Sequence, residues 1–107
     1  MSEAQDPGRG ARVVRNDEAR RYEAYLDEAL AGTLTFRAVA GHLTLVHTEV
    51  EPGFEGRGVG ARLASSALDD ARARGLGVRP LCPFVASYIE RHPAYADLVV
   101  DVPHADA

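Results

Sequence analysis

The 107 residues fit one domain, since domains commonly run from roughly 50 to 200 residues, and they carry 12 basic against 16 acidic side chains for a formal charge of −4. All twelve basic residues are arginine, so the chain holds neither the lysine of a phosphate-loop ATPase nor one for Schiff-base chemistry. The acidic balance argues against sequence-independent binding of nucleic acid, and no apolar run approaches the roughly 18 residues of a membrane span.

Met1 to Gly10 is polar and lacks the apolar stretch of a secretory signal, so it reads as a disordered lead-in and the expected location is cytoplasmic. Residues 11–102 form the expected domain, and 103–107 a loose tail. Cys82 is the only cysteine, which excludes an internal disulfide, and with four scattered histidines it makes no zinc pattern. No metal is expected.

Val13-Val14 opens the first strand. After a turn at Asn16-Asp17-Glu18, Tyr22, Ala24 and Leu26 alternate with Arg21, Glu23 and Tyr25, the period-two pattern of a strand with one buried face. A second turn is expected over Asp27 to Gly32. Leu34, Phe36 and Ala38 then alternate with Thr33, Thr35 and Arg37, and Ala40-Gly41-His42 reads as a tight hairpin into a strand from His42 to Val50. Strict alternation there puts Leu43, Leu45, His47 and Glu49 on one face and Thr44, Val46, Thr48 and Val50 on the other.

The period changes after Glu51-Pro52-Gly53. From Gly58 to Arg74, Leu63, Ala64, Ala67, Leu68 and Ala71 fall on one helical stripe, and Gly75 stops the helix. Leu76 to Leu81 is a short strand entered from a helix, which predicts a parallel return beside His42–Val50. A second helix starts at Pro83, is expected to bury Phe84, Val85, Tyr88 and Ile89, and ends at His92-Pro93. Leu98 to Val102 reads as a final strand. The fold class is α+β, or mixed α/β, around one sheet.

Glu55-Gly56-Arg57-Gly58-Val59-Gly60-Ala61 joins a strand to a helix. Alternate glycines let backbone approach a ligand, and the first N–H groups of the helix, at the positive end of its dipole, suit a pyrophosphate. Arg57 adds a charge-assisted contact. The same spacing also serves a plain flexible turn; a dinucleotide fold is disfavoured because the loop follows several strands and its helix leads to only one more. Cys82 sits between a strand and a proline-started helix, where a thiol is either a small buried hydrophobe or a nucleophile whose thiolate the helix dipole favours. His47, on the expected Leu43 and Leu45 face, is either a core histidine or a base beside Cys82. Tyr88 is either a core aromatic or a proton donor. His92 and Arg91 read as a solvated cap or, alternatively, as contacts to ligand phosphates, and Glu49 and Glu51 as exposed carboxylates able to steer a cationic acceptor.

From Val13 onward the chain resembles the GNAT superfamily of N-acetyltransferases, and within it the minimal stand-alone YjdJ-type members. The matching residues are His47-Thr48-Glu49-Val50, Gly56-Arg57-Gly58-Val59-Gly60, and Pro80-Leu81-Cys82-Pro83-Phe84-Val85 leading to Tyr88-Ile89 and His92-Pro93-Ala94-Tyr95. The resemblance implies antiparallel strands followed by a glycine loop, helix, parallel strand and second helix. It implies acetyl-CoA as acyl donor, with Gly56, Arg57, Gly58, Val59, Gly60 and Ala61 on its pyrophosphate, Val50 on its pantetheine arm, and Tyr88 close to its thiol. Cys82 and His47 would be catalytic, the acceptor an amine on a small molecule or a protein. A CoA-binding module without turnover is the alternative. Glu55 departs from the superfamily pattern, which has Gln or Arg there: either its carboxylate points to solvent or it weakens CoA binding.

Overall fold

The computed structural model describes residues 10–100, so Met1 to Arg9 of the expected lead-in and Asp101 to Ala107, with the expected tail, lie outside the described residues. Five strands, β1 (Arg12–Asn16), β2 (Arg21–Leu26), β3 (Ala29–Val39), β4 (His42–Val50) and β5 (Gly77–Pro80), form one sheet in the order β1-β2-β3-β4-β5. The first four pair antiparallel, and β5 joins β4 in parallel. Helix α1 (Val59–Ala73) makes the crossover that a parallel pair requires, and α2 (Pro83–Arg91) follows β5.

Both helices lie on the same face of the sheet. Leu63, Ala64, Ala67, Leu68 and Ala71 of α1 meet Val85, Tyr88 and Ile89 of α2 over Leu34, Phe36, Leu43 and Leu45. Leu34, Leu43, Leu45, Leu63 and Leu68 are fully buried, and each such side chain contributes about 1.5–3 kcal/mol relative to exposure. The expected stripe on α1 is the buried one.

Three expectations need correction. The turn placed over Asp27 to Gly32 is confined to Asp27-Glu28, because β3 already starts at Ala29. Gly32 lies inside the strand: a Cβ there would come within 2.9 Å of both the Glu49 carbonyl oxygen and Val59 Cγ1, so glycine marks a close approach of α1 and not a turn. Phe84, expected in the core, is 39% exposed. From the first turn of α2 its ring lies over Gly60 at the start of α1, while Val85 one residue on is buried.

The expected final strand is replaced over its first residue by a 3-10 helix, Pro93–Leu98, started by its proline. Arg72 pins this segment, donating to the Ala94 carbonyl at 2.8 Å and pairing with Asp97 at 2.9 Å. Only a single parallel bridge, Val99 with Val78, continues the sheet beyond β5 among the described residues. No described helix is long and apolar enough to cross a membrane.

Candidate active site at the split between β4 and α2

β4 pairs with β5 only from His42 to Leu45. The last bond between the two segments runs from the Cys82 N–H to the Leu45 carbonyl at 2.9 Å. Three local causes end the pairing there. Pro80 and Pro83 have no N–H to continue a ladder. Pro83 at the first helical position starts α2, with Cys82 as the N-cap. In β4 the register shifts: Thr35 pairs with His47 but Phe36 with Leu45, leaving Val46 as an extra residue that bends the strand.

The outer half of β4 therefore has a free edge. Glu51 donates its N–H to Ala31 of β3 at 2.8 Å. By the two-residue alternation of a strand, Thr48 and Val50 aim their N–H and C=O groups the other way, into the gap between β4 and α2. Gly58, in the left-handed region at φ 77°, caps α1 at the rim of this gap; the helix has no side-chain cap, so its first-turn N–H groups have no side-chain acceptor. The start of α2 lies next to it, with the Phe84 ring across Gly60 so closely that a Cβ would come 3.0 Å from Cζ.

The bulge at Val46 also decides which side chains meet. Thr48 pairs with buried Leu34, and Val50 with Gly32, so both face the helices. His47 pairs with Thr35 on the other face and is exposed. The expectation that His47 shares a face with Leu43 and Leu45 is thus corrected, and with it the direct pairing of His47 and Cys82. Thr48 takes that place: its hydroxyl lies 3.2 Å from Cys82 Sγ. Cys82 is 2% exposed, seated at the apex of the gap with its sulfur aimed along β4.

In the glycine loop Glu55 is exposed and turned back on its own backbone. Its carboxylate accepts the Gly53 N–H at 3.0 Å, so the charge is folded into the loop's own turn. Arg57 is exposed, its guanidinium 5.7 Å from the centre of the Phe54 ring. Tyr88 packs as a core aromatic, stacked on His92 with ring centres 3.9 Å apart. His92 Nδ1 lies 2.8 Å from the Tyr88 carbonyl, closing the end of α2. No hydrogen bond joins Tyr88 to Cys82 among the described residues. No cluster of three or more His, Cys, Asp or Glu side chains able to hold a metal occurs among them either.

A split between two parallel strands, rimmed by two helix N-termini, is where α/β sheets take ligands. In this chain the split has a thiol at its apex. The family model for GCN5-related N-acetyltransferases matches residues 21–98, which include every element of the split. The chain belongs to the GCN5-related N-acetyltransferase family. Protein NATD1 of Xenopus tropicalis is 27% identical over 93 residues, covering 85% of each chain. Among solved structures, the NMR solution structure of a GCN5-like protein from Staphylococcus aureus matches 91% of this chain and 95% of its own with a TM-score of 0.65, at 20% identity. The crystal structure of a ribosomal-protein-alanine N-acetyltransferase from Brucella melitensis biovar Abortus matches with a TM-score of 0.54 and 18% identity, over 78% of this chain and 62% of its own. These two structures share the fold, and the sheet with its two helices is the GNAT-like arrangement.

Proposed function

We propose that the protein takes an acetyl group from acetyl-CoA and passes it to an amine. The observation that carries this reading is the free edge of β4 between two helix N-termini, with the Cys82 and Thr48 pair at its closed end. A long, amide-rich donor fits such an edge as an added strand, its amides pairing with the Thr48 carbonyl and the Val50 backbone. The first-turn N–H groups of α1, from Gly58 to Ala61, face the loop and take the pyrophosphate, with Arg57 adding charge. Phe84 supplies an apolar wall between the two helix starts.

At the apex the Cys82 sulfur attacks the thioester carbonyl carbon and gives up its proton. Thr48 donates its hydroxyl to the thiolate, and the Thr48 backbone N–H, the gap-facing donor nearest the apex, stabilises the oxyanion. The bond to the CoA sulfur breaks, and that sulfur leaves with the proton. The acceptor amine then attacks acetyl-Cys82 from the opposite face of β4. There His47 removes the amine proton, one residue from Thr48 but across the strand. Cys82 leaves as thiolate and is reprotonated. Exposed Glu49 and half-buried Glu51 flank this approach and favour a cationic acceptor.

Intact-mass analysis after incubation with acetyl-CoA tests the covalent step. With no lysine in the chain, label can sit only on the α-amine, Cys82 or a hydroxyl. One acetyl per chain that disappears in Cys82→Ala, with free CoA released in the same burst, is the expected result. Full turnover on an amine by Cys82→Ala would remove the sulfur from the reaction. Binding of acetyl-CoA with no CoA release on any amine would make the protein a CoA-binding module.

A further inference from the structure

A second concave site lies at the far end of the sheet. β3 pairs antiparallel with β4, so its last residues, Phe36 to Val39, sit against the start of β4 and away from the split. A cleft of about 470 Å³ opens there between the β1–β2 turn and β3, within the size range of small-ligand sites. β3 outlasts β2: the pairing stops at Arg21 with Thr35, and the last bond runs from the Phe36 N–H to the Arg20 carbonyl at 2.9 Å. Two residues on, Ala38 directs its N–H to the same edge, where no strand of the described chain lies.

The cleft is lined by three arginines and one aspartate, in a chain whose overall charge is negative. Arg15 is already matched. It holds Asp17 at 2.6 Å and Asp70 at 3.0 Å, donates to the Tyr22 hydroxyl at 3.2 Å, and lies 4.5 Å from the centre of the Phe36 ring. That network makes a rigid floor. Arg20, in the β1–β2 turn, and Arg37, whose side chain leaves β3 on the face opposite Phe36, meet the cleft at the open edge of β3 and form no ion pair with any described residue. Arg20 moreover sits in the left-handed region at φ 57°, a conformation that glycine adopts at lower cost. The turn keeps a long cationic side chain where local geometry favours none.

We propose that this cleft binds a small organic anion with two or more acidic groups, carboxylate or phosphate, held between the Arg20 and Arg37 guanidinium groups with the Ala38 N–H as a third donor. Guanidinium forks match the oxygen pairs of both anions, and exposed Val39 covers the ligand's carbon skeleton. The site is separate from the acetyl-transfer split and does not depend on that reading.

Amide NMR titration of the full chain with citrate and with glycerol 3-phosphate, acetate serving as the monovalent control, tests this. Saturable shifts confined to residues 17–21 and 36–39 are expected for at least one of the two, at millimolar concentration or below and about tenfold tighter than acetate. Whichever anion binds tighter identifies the acid class. Arg20→Gly removes the guanidinium without straining the turn, and Arg37→Gln removes the other; the double variant should bind about tenfold more weakly or worse. Unchanged affinity in the folded double variant, acetate binding equal to both probes, or shifts confined to the glycine loop would each overturn the proposal.

Discussion

At Thr48 a single hydroxyl decides how the Cys82 sulfur is held, and the residue types alone do not announce this. Threonine in a strand is unremarkable, and strict alternation assigns Thr48 to the face opposite the leucines. The bulge at Val46 reverses the assignment for everything beyond it, and nothing in a lone valine marks a bulge. The same shift sends His47 out of the core. What was legible was the thiol itself: a cysteine directly before a proline-started helix. Thr48→Val keeps the shape and removes the hydrogen bond. Stability should change by about 1 kcal/mol or less, while single-turnover acetylation of Cys82, read by intact mass, slows about tenfold. Thr48→Ser should restore the rate; a purely steric role would leave Val active and Ser impaired. His47→Ala should separate the two half-reactions, slowing delivery to the amine about 100-fold so that acetyl-Cys82 accumulates. Equal loss in both half-reactions would place His47 elsewhere in the scheme.

At the scale of elements, the order of strands, the parallel return and both helices were readable from the switch between period two and period 3.6, and α1 ends within a residue of its expected bounds. Glycine was the ambiguous letter. Gly58 and Gly32 look alike in the sequence, yet one takes a left-handed cap and the other yields space to α1. Gly32→Ala should therefore lower stability by about 1–3 kcal/mol, through crowding against a backbone oxygen and Val59 that cannot both move aside. Gly10→Ala, which meets nothing within 4 Å, should stay within about 0.5 kcal/mol. Thermal unfolding compares the two, and similar melting temperatures would contradict the packing account. The 3-10 segment that runs into the first residue of the expected last strand is hidden from the sequence because Arg72 reaches it from a distant helix, a contact no local pattern carries.

Over the whole molecule, one polar network ties the sheet to α1 at the end away from the split. Asp70 accepts the Tyr22 hydroxyl at 2.8 Å and pairs with Arg15 and Arg74. Partial burial alone would raise its carboxyl, but Arg74, Tyr22 and Arg15 together hold it below the usual range. Glu23 is lowered likewise, first by Arg21 and then by the Tyr25 and Asn16 bonds, against its burial. Depressed folded-state values mean that the stabilisation is complete above the ordinary carboxylate range and disappears as pH falls through and below it. Acid unfolding should accordingly be less steep in Asp70→Asn, whose stability is already lower at neutral pH; an unchanged slope would mean that Asp70 has the same affinity for protons folded and unfolded. At the alkaline end, burial and the Asp69 bond push the Tyr95 hydroxyl up to about 12. Its contribution is present below the ordinary tyrosine value and is lost as pH rises through that figure.

Acetyl-CoA binding in the split between β4 and α2 can be mapped by amide chemical shifts during an acetyl-CoA titration. Saturable shifts are expected at Thr48 to Val50, Gly56 to Ala61 and Cys82 to Phe84, with the α1 first-turn amides moving most. Saturable binding whose shifts leave those three segments untouched, or no binding at millimolar acetyl-CoA, would contradict binding in the split.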